Sequence, residues 1–310
     1  MPVVRFYCLG DLMVDVVARL FGSLQEGSDS PGVISYVGGG SAANTAAWLT
    51  RAGVDSVFIG AVGDDPAGQM QLEALHALGV DVRFRVDRIR PTGTCLVLVA
   101  PTGERTMVPD PGANLSLMEH DVPTDEFRTG DHLHVSGYAL LRDSRDAAVH
   151  AMKAARSAGM TVSVGAASSA PLALVGPEVF LGLLPDDVLL FANQSEAGVL
   201  SCTPGSPGSS GSPGSSGSSG ELARALAGSG RQAVITGGSG EAAWSDGAEV
   251  AALAAEPLDR PELDTTGAGD AFAAGFLAAR ARDAVPAVCL RDGHVLAAAA
   301  CRTTGGRPER

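Results

Sequence analysis

The sequence predicts an α/β fold: a mainly parallel central sheet, helices on both of its faces, and a small antiparallel sheet standing off it. Three observations predict it. Short apolar, β-rich runs alternate with Ala-rich segments of helical period, which is the rhythm of parallel strands joined by crossover helices. That rhythm fails in two places, residues 14–37 and 82–109, where strand-like runs are joined by turns with no helix between them. The 310 residues are 45% hydrophobic, enough for one sizeable core, so residues 1–310 are expected to fold as a single domain.

The elements follow in order. Val3–Leu9 reads as the first strand, and Val33–Val37 as a strand running into a helix at Ser41–Arg51. Strand Ser56–Val62 and helix Pro66–Leu78 come next. Thr94–Ala100 and Arg105–Pro109 form a strand pair joined by Pro101-Thr102-Gly103-Glu104. The rhythm then resumes with strand His132–Ser136, helix Ser144–Ala158, and strands at Thr161–Val164, Val188–Ala192 and Ala233–Thr236. Ala268–Arg282 and Ala287–Cys301 read as the last two helices. One segment differs in kind. Pro204–Gly220 contains only Pro, Gly and Ser, has no apolar surface to bury, and reads as a flexible insertion.

Charge excludes whole classes of partner. With 35 acids against 22 bases the formal charge is -13, ill suited to a nucleic acid or an anionic membrane. Lys153 is the single lysine, and no Gly-Lys-Ser/Thr exists, so a P-loop is ruled out. The strand lysine of protein kinases is missing too. Five cysteines, odd in number and without Cys-x-x-Cys spacing, speak against zinc ribbons and disulfide frameworks. The first residues lack a basic segment followed by an apolar core, and no apolar run approaches the ~18 residues of a membrane span. A cytoplasmic protein is the expectation.

Three glycine-rich stretches hold the candidate chemistry. Gly38-Gly39-Gly40-Ser41-Ala42-Ala43-Asn44, between a strand and a helix, fits Gly-x-Gly-x-x-Ala and admits an NAD-dependent oxidoreductase. The fingerprint should follow the first strand of the parallel sheet, a place Val3–Leu9 already takes. Asp264-Thr265-Thr266-Gly267-Ala268-Gly269-Asp270 precedes apolar residues at helical spacing. Gly267, Ala268 and Gly269 therefore lie at a helix N-terminus, where unpaired N–H groups and the helix dipole receive an anion without lysine. Asp270, in the first turn beside that anion, is placed to orient and deprotonate an attacking hydroxyl. The third stretch, Val234-Ile235-Thr236-Gly237-Gly238-Ser239-Gly240, reads as a strand end entering a turn. His132 and His134 alternate on one strand but have no acidic or thiol partner at a matching spacing, and read as ordinary strand residues.

Taken together, these residues resemble the ribokinase-like (PfkB) carbohydrate kinases over nearly the whole chain. Asp264–Asp270 looks like that family's second signature and Gly38–Asn44 like its first. Gly10-Asp11 through Asp15, Val62-Gly63-Asp64-Asp65-x-x-Gly68, Gly103-Glu104-Arg105 and Asn193-x-x-Glu196 also match. The resemblance implies a three-layer sandwich with a β lid over a sugar, the lid built from residues 14–37 and 82–109. It implies transfer of the γ-phosphoryl group of ATP to a hydroxymethyl group of a sugar, with a nucleoside as the alternative acceptor.

The roles it implies run as follows. Asp270 is the general base, and the N–H groups of Gly267, Ala268 and Gly269 form the anion hole. Asp15, Gly39, Gly40, Asn44 and Arg105 belong to the sugar site. Asn193, Thr236, Gly238 and His294 line the nucleotide, and Glu196 acts on Mg²⁺ through water. A monovalent cation such as K⁺ is a further implied cofactor, and both a monomer and a homodimer formed through the lid stay open. The chain departs from the pattern at Gly165, where many relatives carry Asp or Asn, and at Glu241, which replaces a glycine.

Overall fold

The computed structural model describes residues 4–201, 217–228 and 230–309. It begins with strands β1 (Phe6–Leu9), β2 (Met13–Leu20) and β3 (Gly32–Gly39), then helix α1 (Ser41–Arg51). Strand β4 (Ser56–Gly63), helix α2 (Pro66–Ala77) and strands β5 (Asp81–Asp87), β6 (Thr94–Val99) and β7 (Arg105–Asp110) follow. The middle runs β8 (His132–Ser136), α3 (Gly137–Leu140), α4 (Arg145–Ser157), β9 (Thr161–Gly165), α5 (Ser169–Val175), α6 (Pro177–Gly182), β10 (Leu189–Asn193) and α7 (Gln194–Ser201). Helix α8 (Ser219–Leu226), strands β11 (Gln232–Thr236), β12 (Glu241–Ser245) and β13 (Val250–Ala254), and helices α9 (Ala268–Arg280) and α10 (Pro286–Ala300) complete it.

Nine strands form the central sheet, in the order β13-β12-β11-β10-β9-β8-β1-β4-β5. Every pairing from β5 to β11 is parallel, because each crossover carries a helix or a long excursion. β12 and β13 return antiparallel at the edge, the first through the tight turn in which Gly240 N–H donates to the Gly237 carbonyl at 3.0 Å. Side chains alternate across the sheet and so feed two cores. Tyr7 and Leu9 of β1 join Leu133, Val135, Ala148, Ala151, Leu172 and Phe180 on one face. Phe6 and Cys8 join Trp48, Phe58, Phe272, Phe276 and Leu290 on the other. Both faces are covered, which is why the central strands read as continuous apolar runs.

Four strands form the small sheet, in the order β3-β2-β6-β7. The pairs β2–β3 and β6–β7 are antiparallel, as the sequence predicts for each turn-linked pair. Between them β2 and β6 run parallel, from Val14↔Thr94 to Arg19↔Val99, so the sheet is mixed. These two are not joined by a hairpin: β3, α1, β4, α2 and β5 intervene, and no tight turn dictates their direction. Met13, Val17, Cys95, Val97 and Val99 give the sheet its own small core.

Three boundaries differ from the sequence reading. β1 starts at Phe6, and Val3 lies outside the described residues. Asp81–Asp87, which the reading placed with the small sheet, pairs parallel with β4 at the edge of the central one. Of the Pro204–Gly220 run, residues 204–216 lie outside the described residues, while its end begins a helix. There the Glu221 N–H donates to Ser218 Oγ at 3.3 Å and the Ser218 N–H donates to the Glu221 carboxylate at 2.8 Å, a capping box. Among the described residues, no helix is long and apolar enough to cross a membrane.

Candidate active site

A cavity of about 870 Å³ opens at the C-terminal ends of the parallel strands, the usual place for a ligand in an open α/β sheet. The small sheet contributes Met13, Asp15, Cys95 and Met107 to one wall, and the start of α9 contributes Gly267, Gly269 and Asp270 to another. Two segments 226 positions apart in sequence meet there, which is why the two signature stretches belong to one site.

Asp270 stands in the first turn of α9 and is half-buried. Ser41 Oγ donates to its Oδ1 at 2.7 Å and Asn44 Nδ2 to its Oδ2 at 2.9 Å. Burial pushes its carboxyl up to about 7; those two hydrogen bonds pull the other way, and Asp11 and Asp15 add to the rise. An ordinary aspartate would be a far weaker base at neutral pH. The helix starts where it does because Gly267 takes a left-handed conformation, φ 74°, which a side chain would strain. A Cβ there would also collide with the Gly306 backbone. Gly267 and Gly269 line the cavity, whereas the Ala268 N–H is turned back to the Thr265 carbonyl at 3.3 Å. The sequence reading made all three anion-hole donors; the turn itself engages the middle one.

Asp264 organises the loop before α9. Its carboxylate accepts the N–H of Thr266 at 2.9 Å and of Gly305 at 3.0 Å, and pairs with Arg105 Nη2 at 2.8 Å. Burial works against its charge, but these donors outweigh it and hold the carboxyl below the usual range. Arg105 Nη1 also donates to the hydroxyls of Thr265 and Thr266, each at 3.0 Å. Arg105 was expected at the sugar. It borders the cavity, but its donors are engaged in clasping β7 of the small sheet to the loop before α9.

Asp11, Asp15, Gly40, Asn44, Tyr138 and Arg142 also line the cavity. Asp15 is pushed up to about 6 by burial, which Arg307 partly offsets. Gly39 stands behind this wall and not on it: a Cβ there would collide with the Asp15 carboxylate, so glycine is what lets β2 and β3 close. The Gly39 carbonyl accepts from Arg307 Nη2 at 2.8 Å. The end of β10, the start of α7 and the end of β11 contribute Asn193, Glu196 and Thr236. Glu196 accepts the Asn193 N–H at 2.9 Å and Asn193 Nδ2 at 2.7 Å, while Asn193 Oδ1 accepts the Glu196 N–H at 2.9 Å. Burial raises the Glu196 carboxyl to about 7 against those bonds.

Two expected nucleotide residues do not reach the cavity wall. His294 packs edge-on to Phe272, 5.2 Å between rings, with Nε2 3.0 Å from the Leu253 carbonyl, and so fixes α10 against β13. Gly238 sits exposed in the β11–β12 turn. The sequence reading missed three contributors. Asp11, where Ser136 Oγ donates to Oδ1 at 2.9 Å, was seen only as part of a motif. Arg307 carried no signal at all. His134, set aside as an ordinary strand residue, lines the cavity.

A helix N-terminus open to the cavity, a half-buried carboxylate beside it and a β-sheet forming another wall are the layout of a phosphotransferase of the α/β class. Comparison with known proteins makes the family definite. The model of the pfkB family carbohydrate kinases matches residues 5–309, and the chain belongs to that family. It is 32% identical over 291 residues to a fructokinase of Salmonella typhimurium, covering 91% of this chain and 86% of that one. Among solved structures, a probable sugar kinase of Rhizobium etli superposes with a TM-score of 0.82 at 23% identity, over 99% of this chain and 96% of the other. Adenosine kinase of Sinorhizobium meliloti gives 0.80 at 25% identity, over 100% and 97%. The dinucleotide reading of Gly38–Ala43 falls with this topology. β3 pairs antiparallel with β2 in the small sheet and is not the first strand of a parallel βαβ unit.

Proposed function

We propose that this chain is an ATP-dependent cytoplasmic kinase that moves the γ-phosphoryl group onto a hydroxymethyl group of a sugar, with the small sheet as its lid. One observation carries the reading: Asp270, half-buried and oriented by Ser41 and Asn44, adjoins the N-terminus of α9 in the same cavity. Asp270 orients the acceptor hydroxyl and takes its proton as the new P–O bond forms. The N–H groups of Gly267 and Gly269 hold the charge on the transferring group, a fixed donor of this kind contributing about 3–4 kcal/mol. Asp15, Asn44 and Gly40 receive the sugar, and Asn193 and Thr236 border the nucleotide phosphates.

The donor set bears on Mg²⁺. Among the described residues no group of three or more His, Cys, Asp or Glu side chains could hold a metal ion. Glu196 is a single carboxylate, which fits an ion that keeps its waters and phosphate oxygens and meets the protein through water. Mg²⁺ bound there would neutralise phosphate charge. The likeness to adenosine kinase supports a nucleoside as second reading. Of the aromatic residues lining the cavity among the described residues, Phe191 and Phe272 are buried in the core and Tyr138 alone is partly exposed, which favours a sugar over a stacked base. An ADP-release screen across sugars and nucleosides, with Asp270→Ala as control, tests the proposal. ADP release with a sugar, abolished in the variant, supports it; equal release in the variant overturns it.

A further inference from the structure

His134 lies on the floor of the cavity, and nothing in the reaction above uses it. It is 1% exposed yet borders the cavity together with Gly165, Phe191, Phe272 and Ala273. Its Nδ1 is 2.8 Å from Ser163 Oγ, and its Nε2 has no protein partner among the described residues. The place in front of that nitrogen is Gly165. A Cβ there would stand 3.8 Å from Nε2, so the missing side chain is what opens the nitrogen to the cavity.

Behind His134 the hydrogen bonds continue. Ser163 Oγ is 2.7 Å from His132 Nε2, and His132 Nδ1 is 2.7 Å from Thr161 Oγ1. Ser163 has one hydroxyl hydrogen, so it donates to one histidine and accepts from the other. In the first arrangement it donates to His134 Nδ1, which leaves the His134 hydrogen on Nε2. His132 then donates from Nε2 and accepts the Thr161 hydrogen. In the second arrangement every bond turns round and the cavity nitrogen becomes an acceptor. Burial keeps both rings neutral, pushing His134 down to about 4 and lowering His132 as well.

The position says which ligand atom meets this nitrogen. His134 pairs in register with Cys8 of β1 and Ser163 of β9, at the centre of the sheet. Phe191, whose ring centre is 6.1 Å from that of His134, packs edge-on to Phe276 of α9 at 5.5 Å. Phe272 and Ala273, two and three positions past Asp270, line the same cavity, so the ring lies on the α9 side of the sheet. Asp15, assigned above to the sugar, comes instead from β2. We propose that His134 contacts the ligand, its Nε2–H donating a hydrogen bond to an oxygen of the phosphoryl group seated at the N-terminus of α9. An anionic oxygen only accepts, so its arrival selects the first arrangement of the whole line. The proposal rests on the kinase reading above.

Nitrogen-15 NMR of the imidazoles in the wild-type chain tests it, with His134→Phe identifying the resonances. β,γ-imido-ATP with Mg²⁺ is expected to move His134 Nε2 to the protonated, pyrrole-like position, whereas the accepted sugar alone leaves it unchanged. His134→Phe is expected to lower kcat about 10- to 100-fold, the effect of losing one hydrogen bond to a charged oxygen, with the sugar KM within twofold. Ser163→Ala, which keeps the ring and removes the partner that fixes its hydrogen, should broaden or split the Nε2 signal. An Nε2 resonance that ignores the imido nucleotide, or that moves equally with sugar alone, overturns the proposal. Failure of the kinase reading looks different: wild-type protein would then release no ADP with any acceptor.

Discussion

Asn44 Nδ2 donates a 2.9 Å hydrogen bond to Asp270 Oδ2, tying the first turn of α1 to the first turn of α9. The bond stabilises the ionised carboxylate against a burial that favours the neutral one, and the balance leaves Asp270 at about 7. Below that pH the carboxyl already carries a proton and cannot take another. The log of kcat/KM should therefore rise with pH up to about 7 and level off above it. Asn44→Ala removes a bond that lowers the value, so its midpoint should move to higher pH and its turnover at pH 7 should fall. Paired pH–rate profiles check this. A midpoint that stays put or moves to lower pH contradicts it.

Arg105 joins the small sheet to the loop before α9. Its guanidinium reaches Asp264 and two threonine hydroxyls at once, a planar fork that lysine cannot reproduce. Arg105→Lys should thus lose nearly as much as Arg105→Gln: a sugar KM raised about tenfold or more, and stability lowered by ~1–3 kcal/mol for a half-buried pair. Steady-state kinetics and urea unfolding of both variants are the measurements. Full rescue by lysine would mean that charge alone is required there.

Gly267→Ala meets two obstacles, a left-handed φ of 74° and the Gly306 backbone directly in the path of a Cβ. The loop must shift, and the donors at the start of α9 shift with it. Turnover should fall about 100-fold or more, and melting should move down by several degrees. A variant with near-normal kcat would show that the helix start need not be held.

Arg307 is 8% exposed and donates to the Gly39 carbonyl and to Gln71 Oε1, both at 2.8 Å. Arg307→Met leaves both acceptors without this donor and withdraws the cation that offsets the burial of Asp15. Stability should drop by about 2–4 kcal/mol, and the sugar KM should rise while that of ATP holds. Urea unfolding with KM values for both substrates decides it. An equal rise in both KM values would point to general loosening.

Much of this was legible along the chain because it is local. Asp264–Asp270 and Gly38–Asn44 are contiguous runs in which glycines, an acid and helical spacing sit side by side. The central strands were legible because burial on both faces makes them continuously apolar. What escaped is what depends on meetings across the fold. His134 acquires its role from Ser163 and Gly165 on the neighbouring strand, and no pattern within His132–Ser136 announces it. Arg307 has meaning only beside Gly39 and Gln71. His294 was read as a nucleotide residue, but α10 packs on β13 and the Leu253 carbonyl claims its nitrogen. β12 and β13, short and rich in alanine, offer little alternation to read.

The central claim is that Asp270 is the base of a phosphoryl transfer, and Asp270→Asn tests it most directly. The amide keeps the shape and the contacts to Ser41 and Asn44 within reach, but accepts no proton. The prediction is a kcat lowered roughly 1,000-fold, with ADP·Mg²⁺ bound as tightly as by the wild type. Turnover within a few fold of the wild type would contradict it.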